Sequence, residues 1–166
     1  MAKNTRQAEP AAKNHEAVRR FTWEVASINV HLQEIRHFWA KNLGISGPQW
    51  MILMALADLD KGEGVPVKVV SKMLHVDPSF VTTQSKILEK KGFMRRKTSE
   101  EDARVVKMSL TDKSYKQIEN LASQRQALSE FVFAEFNDVE LVEFNSKLAS
   151  LKDRLEKARL KVELDT

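Results

Sequence analysis

The 166-residue chain has no cysteine, which excludes disulfides, thiolate metal ligands, thiol redox sensing and a cysteine nucleophile. Glycine (5) and proline (4) are scarce, too few for a β-rich or low-complexity architecture. No apolar run approaches the roughly 18 residues that a membrane span needs. The N-terminus lacks the apolar core of a signal peptide, so the expected compartment is the cytoplasm and no membrane partner is expected. The four histidines (His15, His31, His37, His75) are dispersed, and no two stand four apart as helical zinc ligands do. There is no Ser-His-Asp order, glycine-rich phosphate loop or paired-carboxylate motif. No catalytic residue, metal or cofactor is therefore expected.

What is present is a soluble composition, 42% apolar and 30% charged, in a chain long enough for one respectable core. The charge is unevenly placed. From Lys86 to Lys107 there are 8 cations and 4 anions, a net +4 that equals the net charge of the whole chain. The remaining residues balance to zero. A neutral scaffold with one basic segment is the electrostatic footprint of a DNA reader.

Periodicity divides the chain into mainly helical elements. Met1 to Asn14 is polar and aperiodic, the pattern of a flexible tail. From about His15 the apolar residues Val18, Phe21, Val25, Ile28, Leu32, Ile35 and Trp39 are spaced 3, 4, 3, 4, 3, 4, a coiled-coil seam. This helix is expected to stop at Leu43-Gly44, glycine being the usual residue just past a helix end. Ser46-Gly47-Pro48-Gln49 has the form of a capping box opening a second helix. After Lys61-Gly62-Glu63-Gly64, Pro66 fits the start of a third, with Val70, Leu74 and Val76 as core contacts and small Ser71 at a close crossing. His75 falls in the following turn, at a position that often needs positive φ.

Asp77-Pro78 opens the fourth helix as N-cap and first residue. Val81 and Leu88 point inward with Gln84 or Ser85 between them, and Ser79, Thr82, Thr83, Lys86 and Lys90 point outward. Gly92 ends it. Phe93–Lys97 and Val105–Leu110 read as two strands joined by a seven-residue loop, with Val106, Met108 and Leu110 inward. Thr111 caps a fifth helix expected to run to about Phe136. Asn137 or Asp138 caps a sixth, where Leu141, Phe144, Leu148, Leu151, Leu155, Ala158 and Val162 repeat the seam spacing.

Taken in order, Leu43-Gly44-Ile45-Ser46-x-Pro48-Gln49, Leu88-Glu89-Lys90-Lys91-Gly92, Asp102-x-Arg104 and Leu110-Thr111 resemble the multiple-antibiotic-resistance-regulator (MarR) family of winged-helix transcription factors, over about Phe21 to Leu160. His75 stands where the family usually has a turn glycine, and Ala103 where it often has a second arginine. The resemblance implies a mainly α fold: a winged helix-turn-helix with a small β-hairpin wing over 46–111, and a helical dimerisation module from 15–45 and 112–166, behind a tail at 1–14. It implies a homodimer on double-stranded DNA, with the fourth helix in the major groove.

Pro78, Ser79, Thr82 and Thr83 then let the helix approach closely, the hydroxyls donating to phosphates or base edges, with Lys86 and Lys90 beside them. Arg95, Arg96 and Lys97 are expected on phosphates. Arg104 is expected in the minor groove, where narrow A·T-rich DNA attracts arginine, with Asp102 holding its guanidinium or the turn. The family also implies a small aromatic or anionic effector where the dimer module meets the winged helix. Trp23, Trp50 and Met54 are candidates for its apolar part, and His31 or Arg36 for its charge. The expected function is a regulator, most simply a repressor, on a palindromic operator. The alternatives are a nucleoid-type DNA binder of low sequence specificity and a helical adaptor that binds no DNA.

Overall fold

The computed structural model describes residues 15–164; the segment 1–14, expected as a tail, lies outside them. The order of elements is α1 (His15–Asn42), α2 (Gly47–Leu59), β1 (Val65–Pro66), α3 (Val67–Leu74), α4 (Pro78–Lys90), β2 (Met94–Thr98), β3 (Val106–Leu110), α5 (Asp112–Asn120), α6 (Ala122–Val132) and α7 (Asp138–Leu164). The fold is mainly helical with one small antiparallel sheet. It divides into two compact units, one running to Gln117 and the other starting at Ile118.

In the first unit, α1 ends where Gly44 takes φ +65° and returns the Ile45 N–H to the Ala40 carbonyl at 3.0 Å. The capping box of α2 is complete. The Ser46 N–H donates to Gln49 Oε1 at 3.1 Å and the Gln49 N–H to Ser46 Oγ at 3.4 Å. The core gathers Trp39, Ala40, Trp50, Ile52, Leu53, Leu56, Val70, Val81, Leu88, Met94, Met108 and Leu110. Ser71 on α3 is buried, whereas Val76, expected as a core contact, is exposed in the turn after α3.

The sheet has three strands, order β1-β3-β2, where the sequence predicted two. The extra strand is only Val65–Pro66, paired with Met108 and Lys107. It occupies a sheet edge, the place a proline without an N–H tolerates. In the hairpin Met94 pairs with Leu110, Arg96 with Met108 and Thr98 with Val106. Side chains alternate across a sheet, so Arg96 shares the inward face with Met94 and Met108, while Arg95 and Lys97 share the other.

The long helix expected from Thr111 to Phe136 is broken into α5 and α6 and ends early. The Leu121 N–H donates to the Ile118 carbonyl three residues back, a 3₁₀-like tightening, before α6 resumes. Asn120, whose side chain competes for backbone hydrogen bonds, immediately precedes the break. α6 ends at Val132 with Phe133 as its C-cap. Asn137 caps α7: its Oδ1 accepts the Glu140 N–H, and Glu140 Oε2 accepts the Asn137 N–H, both at 3.0 Å.

Each unit carries an uncovered seam. In α1, Val18, Phe21, Val25, Ile28 and Leu32 are exposed, and in α7 so are Phe144, Leu148, Leu155 and Val162. At about 1.5 Å per residue α1 is roughly 42 Å long, and only its last turns enter the core. Among the described residues no helix is long and apolar enough to cross a membrane, and no cluster of three or more potential metal ligands forms.

Candidate nucleic-acid interface

The site is built on α3, a tight turn and α4. His75 closes α3 in the left-handed region, φ 53° and ψ 42°, a conformation a β-branched residue would resist. Asp77 follows as N-cap, its Oδ1 accepting the Ser79 N–H at 2.7 Å. The Ser79 hydroxyl, with that N–H, holds the Asp77 carboxyl below its ordinary range. Pro78 occupies the first turn, where its missing N–H leaves nothing unpaired.

Val81, Ser85 and Leu88 anchor α4 in the core. The opposite face presents Pro78, Ser79, Thr83, Lys86 and Lys90 to solvent, with Thr82 half-buried at its edge. The threonine hydroxyl protons on this face are already engaged. Thr82 Oγ1 donates to the Pro78 carbonyl at 2.9 Å and Thr83 Oγ1 to the Ser79 carbonyl at 3.0 Å. The expected donors therefore present their oxygen lone pairs outward. They accept without rearrangement, and donate only by giving up these bonds.

The wing follows. Ser99 N–H donates to the Val105 carbonyl at 2.8 Å. Asp102 Oδ1 accepts the Arg104 N–H at 2.9 Å, and the Asp102 carbonyl accepts the Val105 N–H at 2.9 Å. Of the two roles considered for Asp102, the contact found is the one that shapes the turn; the Arg104 side chain is exposed. Arg95 and Lys97 stand on the outer face of β2. Lys97 Nζ is 2.6 Å from Glu100 Oε1. That hydrogen bond raises the lysine pKa and lowers the glutamate's.

Two of the basic residues serve the fold. The Arg96 side chain is only 14% exposed, its Nη1 3.9 Å from Glu89 Oε2, and its N–H donates to Glu89 Oε1 at 3.0 Å. The expectation that Arg96 lies on phosphate is corrected by the register: it sits on the Met94 side of the strand. Lys91, at the C-cap of α4, donates from Nζ to the Gly44 carbonyl at 2.7 Å.

A cleft of about 600 Å³ opens in the same unit, between α1, the start of α2 and the α3–α4 turn. Arg36 and His37 line one side, and Met51, Leu74, Val76 and Phe80 supply apolar surface. Arg36 is held by Asn29 Oδ1 and the Leu32 carbonyl. Of the residues proposed for an effector, only Arg36 lines this cleft. Trp23 is 71% exposed on α1 and Trp50 is 3% exposed in the core. His31 is exposed beside Glu34, and half-buried Met54 lies elsewhere on α2. Trp50 and Met54 at helical spacing are ordinary core signals. His37, Met51 and Phe80 carried no sequence signal for a cleft, because it is made by three helices converging.

The family model for the MarR family matches residues 45–106, from the α1–α2 turn to the start of β3. Over those residues the chain is similar to the MarR family. It is 32% identical over 99 residues to the HTH-type transcriptional regulator SarZ of Staphylococcus epidermidis; the match covers 60% of this chain and 62% of SarZ, so it spans less than two thirds of that relative. It is 26% identical over 138 residues to the HTH-type transcriptional repressor MdtR of Bacillus subtilis, covering 81% and 89% of the two chains. Among solved structures, Streptococcus pneumoniae FabT in complex with DNA superposes with TM-score 0.63 at 26% identity, over 85% of this chain and 99% of that one.

Proposed function

We propose that this chain is a sequence-specific DNA-binding transcriptional regulator of the MarR family. It works as a homodimer on a pseudo-palindromic operator, and most simply as a repressor, since occupancy alone blocks access. The observation that carries the reading is the joint presentation by one unit of an outward α4 face (Ser79, Thr82, Thr83, Lys86, Lys90) and a wing bearing Arg95, Lys97 and a turn-held Arg104. It is supported by the likeness to FabT, solved on DNA, and to MdtR, a repressor. In this reading α4 lies in the major groove and Arg104 in the minor groove, while Arg95 and Lys97 fix the register on phosphates.

The dimer is supported by the two seams. Exposed, regularly spaced apolar rows of this length mark association surfaces, and a second copy is the simplest occupant, since palindromic DNA needs two reading heads. Residues 15–45 and 112–166 are its proposed module. The effector belongs to the cleft. A small molecule with an apolar or aromatic body and an anionic group suits Arg36 opposite Met51, Leu74 and Phe80, and it would touch the α3–α4 turn directly. The test is selection of duplexes from a randomised library, then titration of the selected site against scrambled DNA at several salt concentrations. A regulator binds its site at least roughly a thousandfold more tightly. Equal affinity for both duplexes refutes the reading in favour of a nucleoid-type protein, and absence of salt-dependent binding refutes DNA binding altogether.

A further inference from the structure

The recognition helix is tied at two points to the turn between α1 and α2. Gln49, 6% exposed, closes the α2 capping box with its Oε1 and donates from Nε2 to Gln84 Oε1 on α4 at 3.0 Å. Seven residues on, Lys91 donates to the Gly44 carbonyl at 2.7 Å. The ties are about 10 Å apart along α4 at the helical rise, so together they constrain both its translation and its tilt. Their anchors, Gly44 and Gln49, flank the same short turn, and that turn directly continues α1. Apolar packing through Val81 and Leu88 holds α4 down but is non-directional; a hydrogen bond fixes direction as well as distance.

We propose that Gln49, Gln84 and Lys91 are positioning residues. They transmit the placement of the seam helix α1 to the recognition helix, and so set the half-site spacing that the dimer accepts. The inference rests on the dimeric, DNA-reading function proposed above. In such a dimer the two copies of α1 fix the two-fold axis, and α4 is held to α1 through this turn. The start of α2, which follows that turn, lines the cleft through Gly47, Pro48 and Met51, so a molecule seated there would press on the helix that carries Gln49.

The test measures spacing preference rather than affinity. Wild-type protein selects a duplex from a randomised library. Its affinity is compared with that for the same duplex carrying one extra central base pair, which rotates the half-sites by about one tenth of a turn. Gln84→Leu combined with Lys91→Met removes both ties without touching the outward α4 face. Each lost bond is worth roughly two- to tenfold, so losing both should lower the preference for the selected spacing by at least about fourfold.

Gln84→Glu keeps an acceptor for Gln49 Nε2. It should hold the wild-type spacing ratio even as its added charge weakens both duplexes alike. If burying an unpaired Gln49 amide unfolds the leucine variant, Gln49→Met with Gln84→Leu and Lys91→Met removes both partners of the buried pair as well as the second tie, and should show the same relaxed spacing. A purely structural role would lower the melting temperature and leave the ratio unchanged, and that result overturns the inference. A wild type with no spacing preference overturns the dimeric reading and this inference together, whereas a wild-type preference retained by folded variants overturns this inference alone.

Discussion

Arg96 and Lys97 are neighbours in sequence, alike in charge and opposite in expected behaviour. Arg96→Ala removes two methylenes from a side chain that is 14% exposed. At about 0.8 kcal/mol per buried CH₂ the loss is about 1–2 kcal/mol. The Glu89 partner, 3.9 Å away and half in solvent, adds little. For a chain of this size that corresponds to a fall in melting temperature of about 2–8 °C. Arg96→Met is the informative control. It keeps the apolar stem and removes a guanidinium whose Nε is buried without a hydrogen-bond partner, so it should melt within a degree or two of wild type, or above it. Lys97→Ala should melt with wild type but bind all DNA more weakly. Losing one phosphate contact per protomer lowers the salt slope by about 0.9 per half-site. Between 50 and 200 mM salt that is a factor of about 3.5 per half-site. Thermal denaturation and salt-dependent fluorescence anisotropy on one scrambled duplex read both quantities. If Arg96→Ala melts with wild type and flattens the salt slope as Lys97→Ala does, the hairpin register argued above is wrong.

Leu148→Glu with Leu151→Glu should dissociate or unfold the protein in analytical ultracentrifugation, because a seam buried in a dimer cannot hold unpaired charge; in a monomer Leu148, already 38% exposed, would tolerate the change. Asp77 carries a lowered pKa, so its capping contribution is present above the ordinary aspartate pKa and is lost as pH falls through the folded value. Thermal melts from pH 6 to 2 should therefore show a steeper loss in wild type than in Asp77→Asn, which caps without titrating. Thr83→Val removes the hydroxyl and Thr83→Ser keeps it; if that oxygen accepts from a base edge, the valine variant alone should lose about 1–3 kcal/mol on the selected site and far less on scrambled DNA. An aromatic acid at 100 times its dissociation constant should raise stability by about 2.7 kcal/mol and release DNA, and Arg36→Ala should abolish both effects in a thermal-shift and anisotropy screen.

Much of this architecture was legible because its signals are local. Helix ends follow from backbone groups that need partners within four residues, and Gly44, Ser46-Gln49, Asp77-Pro78 and Asn137-Glu140 all sit where the chain turns into or out of a helix. The left-handed turn at His75 and the inward run Val106, Met108, Leu110 are local in the same sense. What stayed hidden depends on partners distant in sequence. β1 is two residues long and exists only because β3 offers it an edge. The cleft has no periodicity, since Arg36, Met51 and Phe80 belong to three helices. Arg96 marks the boundary. A run of three cations reads most simply as solvent-facing, and pairing with Met108 decides otherwise.

The hydroxyl row on α4 shows the same boundary one level lower, at a single proton. Sequence gives serine and threonine on an outward face, residues able to donate and to accept. Which they do depends on the carbonyls four residues back, and in this chain those of Pro78 and Ser79 take the protons of Thr82 and Thr83. The face offered to a duplex is then acceptor-rich, and among its side chains Lys86 and Lys90 are the strongest donors. A phosphate oxygen, itself an acceptor, gains nothing from such hydroxyls unless they turn. An exocyclic amino group of adenine or cytosine gains a bond at once. A charge-assisted bond to phosphate is worth more than the neutral bond to the carbonyl, so turning is affordable wherever a phosphate lies in reach. Thr82, half-buried at the edge of the face, and Thr83, exposed at its centre, are thereby separated. On the DNA complex proposed above, the edge hydroxyl would turn to the backbone of the duplex and the central one would accept from a base.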